Sequence, residues 1–95
     1  MVHKRTAVAT SYTASVVDYI LGVTAVPTSI LFDATAFEIG QVVVVKDESG
    51  NASSATGITL VPSGSQNIDG ATSQLIESEY GAVLLYSNGV NWFVY

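Results

Sequence analysis

Apolar residues in this chain fall in short runs, interrupted about every eight to twelve residues by glycine or proline. Gly22, Pro27, Gly40, Gly50, Gly57, Gly64, Gly70, Gly81 and Gly89 separate segments rich in Val, Ile, Thr, Leu and Tyr. Short strands joined by tight turns give that rhythm, which is the pattern of an all-β sandwich or barrel. It predicts strands over residues 11–15, 19–23, 28–32, 41–46, 58–61, 73–77, 82–86 and 92–95. No window carries the period of a long helix, and residues 33–39 suit one helical turn capped by Asp33. The expected fold is a small antiparallel β-sandwich, or a barrel-like variant. It is formed by residues 11–95 behind an extended N-terminal arm of residues 1–10.

Side chains of a strand alternate between its two faces, so a run that fails to alternate is informative. Gln41-Val42-Val43-Val44-Val45-Lys46 is apolar on both faces, and Ala82-Val83-Leu84-Leu85-Tyr86 has the same character. Such strands are expected to be covered on both sides, in the middle of the domain or in a subunit contact. Residues 58–61 and 74–77 carry fewer apolar positions and suit more exposed strands. Beyond a Ser87-Asn88-Gly89 turn the sequence reaches Trp92-Phe93-Val94-Tyr95, a bulky apolar cluster that must be buried in the core or against another copy. Val42, Val44, Leu84, Tyr86, Trp92 and Phe93 are therefore the expected core or subunit-contact residues. Trp92 and Tyr86 flank the turn, where cross-strand aromatic packing stabilises a sheet.

Composition adds to this picture. A chain of 95 residues makes one small domain, yet 48% of it is hydrophobic and only 12% charged, with a mean hydropathy of +0.42. Soluble domains carry roughly twice that charged fraction. With no cysteine to staple it, self-association is the expected outlet for the apolar excess. The net charge is −5, unevenly spread: Lys4 and Arg5 sit beside the single histidine, His3. From Thr6 onward Lys46 stands against eight acidic residues, giving 1 − 8 = −7. A nucleic-acid partner needs the opposite sign. No apolar run approaches a membrane span, and residues 6–15 alternate where a secretory signal would need a continuous apolar core. Asn51-Ala52-Ser53 fits a glycosylation sequon but reads as part of a turn.

The pattern offers little chemistry. A hydroxyl nucleophile needs a positioned base, and His3 lies in the expected arm. The carboxylate pairs Asp47/Glu48 and Glu77/Glu79 fall on turns or strand ends, where solvated side chains are the rule. Asp47, Ser49 and Asn51 resemble the start of a calcium loop, but the glycine comes at position four and Ile58 stands at position twelve, where a glutamate belongs. No glycine-rich phosphate loop is present. The expectation is a protein without catalytic residues, cofactor or metal. Tyr80, Tyr86, Trp92 and Tyr95 are the aromatic candidates for stacking on a sugar.

Several turn motifs occur in a recognisable order. Val45-Lys46-Asp47, Gly50 and Ala52 are followed by Ile58-Thr59, Pro62, Gly64 and Ile68-Asp69-Gly70. Tyr80-Gly81, Leu85-Tyr86-Ser87, Gly89 and Asn91-Trp92 complete the series. Over about the last fifty-five residues this series resembles a β-module of bacteriophage virion proteins, and Tyr12-Thr13 with Asp18-Tyr19-Ile20 resembles its start. The resemblance implies a β-sandwich that assembles as trimers in head-decoration (cement), tail-fibre or spike proteins. In fibres such a module ends a much longer chain. Taken as a whole protein with a basic arm, this chain is expected to be a homotrimeric capsid decoration protein on the outer surface of the phage head. His3, Lys4 and Arg5 would then reach the major capsid protein. The alternative is the tip of a tail fibre or spike that binds a host surface glycan or receptor. Neither reading involves nucleic acid or a membrane.

Overall fold

Over the first six strands the chain alternates between two sheets, and this alternation sets the architecture. A computed structural model describes residues 3–94 of the chain. Strands β1 (Arg5–Val8), β3 (Ile20–Val23), β5 (Val42–Asp47), β8 (Ala82–Ser87) and β9 (Trp92–Val94) form a five-stranded sheet in that order. Strands β2 (Tyr12–Thr13), β4 (Thr28–Phe32), β6 (Ile58–Pro62) and β7 (Gln74–Ile76) form a four-stranded sheet. From β1 to β6 the chain winds as a flattened coil, each turn laying one strand on each sheet. Strands stacked this way run parallel: β1 with β3, β3 with β5, β2 with β4, and β4 with β6. Beyond β6 the direction reverses, and β7, β8 and β9 close the sheets with antiparallel pairings.

The all-β fold is as expected, but both sheets are mixed where an antiparallel sandwich was predicted. Four of the seven strand pairings are parallel. Period-two patterning fixes which face of a strand is buried and leaves its neighbour's direction open. The N-terminal arm is corrected in the same way. Arg5–Val8 forms the edge strand β1, held by hydrogen bonds from the Ile20 amide to the Lys4 carbonyl (3.0 Å) and from the Thr24 amide to the Val8 carbonyl (2.8 Å). Val8 turns into the core at 2% exposure. Met1 and Val2 of the expected arm, and Tyr95, lie outside the described residues.

Strict alternation builds the core. Thr28, Ile30 and Phe32 of β4 and Ile58, Leu60 and Pro62 of β6 face Leu21, Val23, Val43, Val45 and Leu85 of the other sheet. Pro62 has no amide to donate, and it lies beyond the stretch of β6 that pairs with β7, so no ladder bond is lost there. The predicted helical turn is a 3₁₀ turn, Ala34–Ala36, capped by Asp33, whose carboxylate accepts from the Thr35 amide. Trp92 is fully buried, edge-on to Phe32 (centroids 5.2 Å apart) and Phe37 (4.9 Å). Its indole nitrogen is buried without a hydrogen-bond partner among the described residues.

These contacts make Trp92 the largest single contributor to the core. Trp92→Ala is expected to cost about 3–5 kcal/mol in denaturant unfolding. Trp92→Phe should cost clearly less, because it keeps an aromatic ring and removes the unpaired N–H.

Candidate functional site

Two features stand out once the strands are placed: a buried carboxylate framework, and an apolar face on the outside of the five-stranded sheet.

The framework centres on Asp47, the last residue of β5, whose side chain is wholly buried. One carboxylate oxygen accepts from the Ser49 hydroxyl (2.6 Å) and amide (3.0 Å), the other from the amides of Ala52 and Tyr80 (both 3.1 Å). Burial alone would push the Asp47 pKa up, but these four bonds outweigh it and hold the group below its ordinary value. Gly50 supplies a φ of 74° in the turn, where a side chain would be strained, and a β-carbon there would meet the outer end of the Tyr80 ring. Ala52 is buried at 3% exposure, and Lys46 donates through its ammonium to the Tyr80 carbonyl. The Lys-Asp-Gly-Ala and Tyr-Gly motifs are thus parts of one knot that ties the end of β5 to the start of β8. Asp47 spends its acceptors on its own chain, and no cluster of three potential metal ligands occurs among the described residues.

Asp18 makes a second knot. It is 2% exposed and accepts from the hydroxyls of Thr6 (3.1 Å) and Tyr12 (2.8 Å) and the Ser15 amide (2.9 Å), joining β1 to β2. Burial, followed by the bond to Asp18, raises the Tyr12 pKa. Asp33, bonded to Gln66 and Thr35, and Glu48, bonded to Arg5, both have lowered pKa values. Sequence reasoning took Asp47 for an ordinary turn residue and matched Asp18 only as a motif; neither signals burial unless the turn is known to be packed over.

The apolar face follows from register. Val42, Tyr86 and Phe93 lie side by side on β5, β8 and β9, and Ile20, Val44 and Leu84 form the next row on β3, β5 and β8. All six are half-buried on the outer side of the sheet. The Tyr86 and Phe93 rings stack at 5.5 Å. A third row is small or polar, with Gly22, Lys46 and Ala82, and the Glu48 carboxylate folds over Gly22 to meet Arg5. At the other end of the sheet, Val16, Val17, Ile39 and Val90 stand exposed on the loops that precede β3, β5 and β9. These loops are tied to the sheet: the Gly40 amide donates to the Ser87 carbonyl, and the Gln41 amide side chain to the Val16 carbonyl.

Five of the six predicted contact residues, Val42, Val44, Leu84, Tyr86 and Phe93, therefore share this outer face, and Ile20 joins them. Trp92 is a core residue, the other half of that expectation: its parity on β9 turns it inward, so it cannot stack on a ligand. Of the predicted cationic contact, His3 stacks on Tyr19 (centroids 4.3 Å), Lys4 is exposed, and Arg5 pairs with Glu48. Two shallow depressions, of about 300 and 340 Å³, are lined by Ser11, Tyr12, Thr13 and Leu31 and by Thr35, Gln66, Asn67 and Asn91 among others, with no ionisable acid or base in either apart from the Tyr12 phenol. No protein-family model, curated protein or solved structure matches the chain.

The depressed pKa of Asp47 makes its contribution to stability pH-dependent. The unfolded carboxyl binds protons more readily, so the contribution is complete above about pH 4 and is lost as pH falls through the lower folded value. Asp47→Asn should destabilise by about 2–3 kcal/mol at pH 7, because its amide group meets N–H donors where the carboxylate accepted them. Between about pH 5 and 2 the melting temperature of the variant should fall less than that of the parent, with Asp33 and Glu48 supplying the residual slope.

Proposed function

We propose that this chain is a non-enzymatic structural protein of a phage virion, assembling as a homotrimer and decorating the outer surface of the head shell against the major capsid protein. The observation that carries the reading is the outer face of the five-stranded sheet. Six half-buried apolar side chains in two cross-strand rows, with four exposed aliphatic residues on the adjoining loops, form the kind of patch that marks an interface. Burying it contributes about 25 cal/mol per Å² before ordering costs. The order of turn motifs, which resembles that of virion modules, supports the same reading. So does the use of buried carboxylates as knots that stiffen the scaffold.

The receptor- or glycan-binding tip remains the second reading on one observation, the 58% exposure of Tyr80. Its backbone is held by Asp47 and Lys46 and its ring lies beside Gly50, which gives an exposed aromatic of the kind sugars stack on. Copy number in the virion separates the two: decoration requires numbers comparable with the major capsid protein, and a tip far fewer.

Light scattering on the purified chain is expected to give three times the 9.9 kDa protomer mass. Leu84→Lys, which places a charge in the centre of the face, should yield a folded monomer. A parent protein that stays monomeric at all concentrations would overturn the assembly.

A further inference from the structure

The two edges of the five-stranded sheet are unlike. At the β9 edge the backbone is already closed: the Trp92 amide donates to the Asn67 carbonyl, the Asp69 amide to the Trp92 carbonyl, and the Val94 amide to an Asp69 carboxylate oxygen (3.2 Å). At the β1 edge, Lys4 and Val8 turn their carbonyls toward β3. In a parallel ladder the intervening residues Arg5 and Ala7 then direct their amides and carbonyls away from it. Both are exposed, and no strand lies beyond them among the described residues. Such an edge is a template for pairing with another chain.

Charge divides the same way. Lys4 lies at the β1 edge as an exposed cation beside the Arg5–Glu48 ion pair, and Asp69 lies at the β9 edge, followed by an exposed rim of small residues, Gly70 to Ser73. The two also share a level along the strands. Register places Arg5 in line with Ile20, Val44 and Leu84, and Asp69 bonds Val94, which pairs with Leu85, one residue away.

We infer that copies of this chain assemble head to tail, the β1 edge of one docking on the Asp69 rim of the next. The occupant of the open edge is thus a second copy. A twofold contact between two β1 edges would set Lys4 against its own counterpart, whereas the head-to-tail contact sets it against a carboxylate. Contacts between unlike surfaces close into rings when the rotation allows, and a ring whose axis runs along the strands preserves the shared level. This inference deepens the self-assembly reading above and rests on it.

Sedimentation velocity of the full chain over a concentration series tests it, using Lys4→Glu, Asp69→Asn and the double variant. Asparagine keeps the acceptor for Val94 and tolerates the φ of 49° at this position. Each single change is expected to weaken association about fivefold per contact, and added salt should weaken the parent. The double variant should associate more tightly than Lys4→Glu alone, because the like-charge contact with Asp69 is gone. Unchanged masses, or losses that simply add, would overturn the docking. If Leu84→Lys then still dissociates the assembly, the self-assembly reading stands and only this contact falls. A parent that is monomeric throughout removes both.

Discussion

A carboxylate taken out of water with no cation beside it has to be satisfied by donors, and the way Asp47 meets that demand governs the rest of the molecule. Its two oxygens draw in the amides of Ser49, Ala52 and Tyr80 and the Ser49 hydroxyl. Those groups belong to the turn that leaves β5 and to the turn that enters β8. Fixing both fixes the pairing of β5 with β8, the junction at which the sheet passes from parallel to antiparallel. A slip of one residue there would turn Val43, Val45 and Leu85 outward and Val42, Val44 and Leu84 inward. The same carboxylate therefore decides which residues form the core and which form the surface available to a partner.

This explains how far the chain could be read unaided. The strands near residues 28–32, 42–46, 58–61 and 82–86 follow from β-branched runs between glycines, and the capped turn at Asp33 from local chemistry alone. Their directions do not follow, because residues two strands apart in the coil meet only in three dimensions. Arg-Thr-Ala-Val at positions 5–8 is too short and too polar to read as a strand; its partner β3 makes it one. Trp92 was ambiguous for a different reason. Four apolar residues in succession carry no alternation, and only the pairing of Trp92 with Ser87 places the indole inside and Phe93 outside. For the contact face, sequence identified the members on β5, β8 and β9 from the doubly apolar runs. Ile20 was not among them, since a lone isoleucine at a strand start carries no such signal.

The polar groups of the interior bear on function as well. Asp18 and Asp47 are saturated by neighbours within the chain, and Ser87 donates to the Ala34 carbonyl while accepting from the Gly89 amide. A buried polar network whose members are satisfied in this way stiffens a fold. The outer surface of the described residues is of another kind: an apolar sheet face, a set of aliphatic loop residues, and the β1 edge, which no described strand pairs. The three lie next to one another, since β1 borders the face on one side and the loops border it at one end.

That adjacency gives the assembly reading its geometric consistency. If the β1 edge meets the Asp69 rim of a neighbour, the outer faces of successive copies are brought side by side around a common axis. A small charge-complementary contact at each edge then positions a larger apolar surface, which is the usual division of labour between orientation and affinity. The energetics run in the same order. An exposed ion pair contributes little by itself, so Lys4 and Asp69 would select the neighbour's orientation, while burial of Val42, Val44, Leu84, Tyr86 and Phe93 supplies most of the free energy. The charges also separate the acidic bodies: with −7 from Thr6 onward, copies repel wherever their surfaces meet at random. In such an assembly the Lys4 edge would be where that repulsion is lowest, which would favour one relative orientation over the many that hydrophobic burial alone would allow.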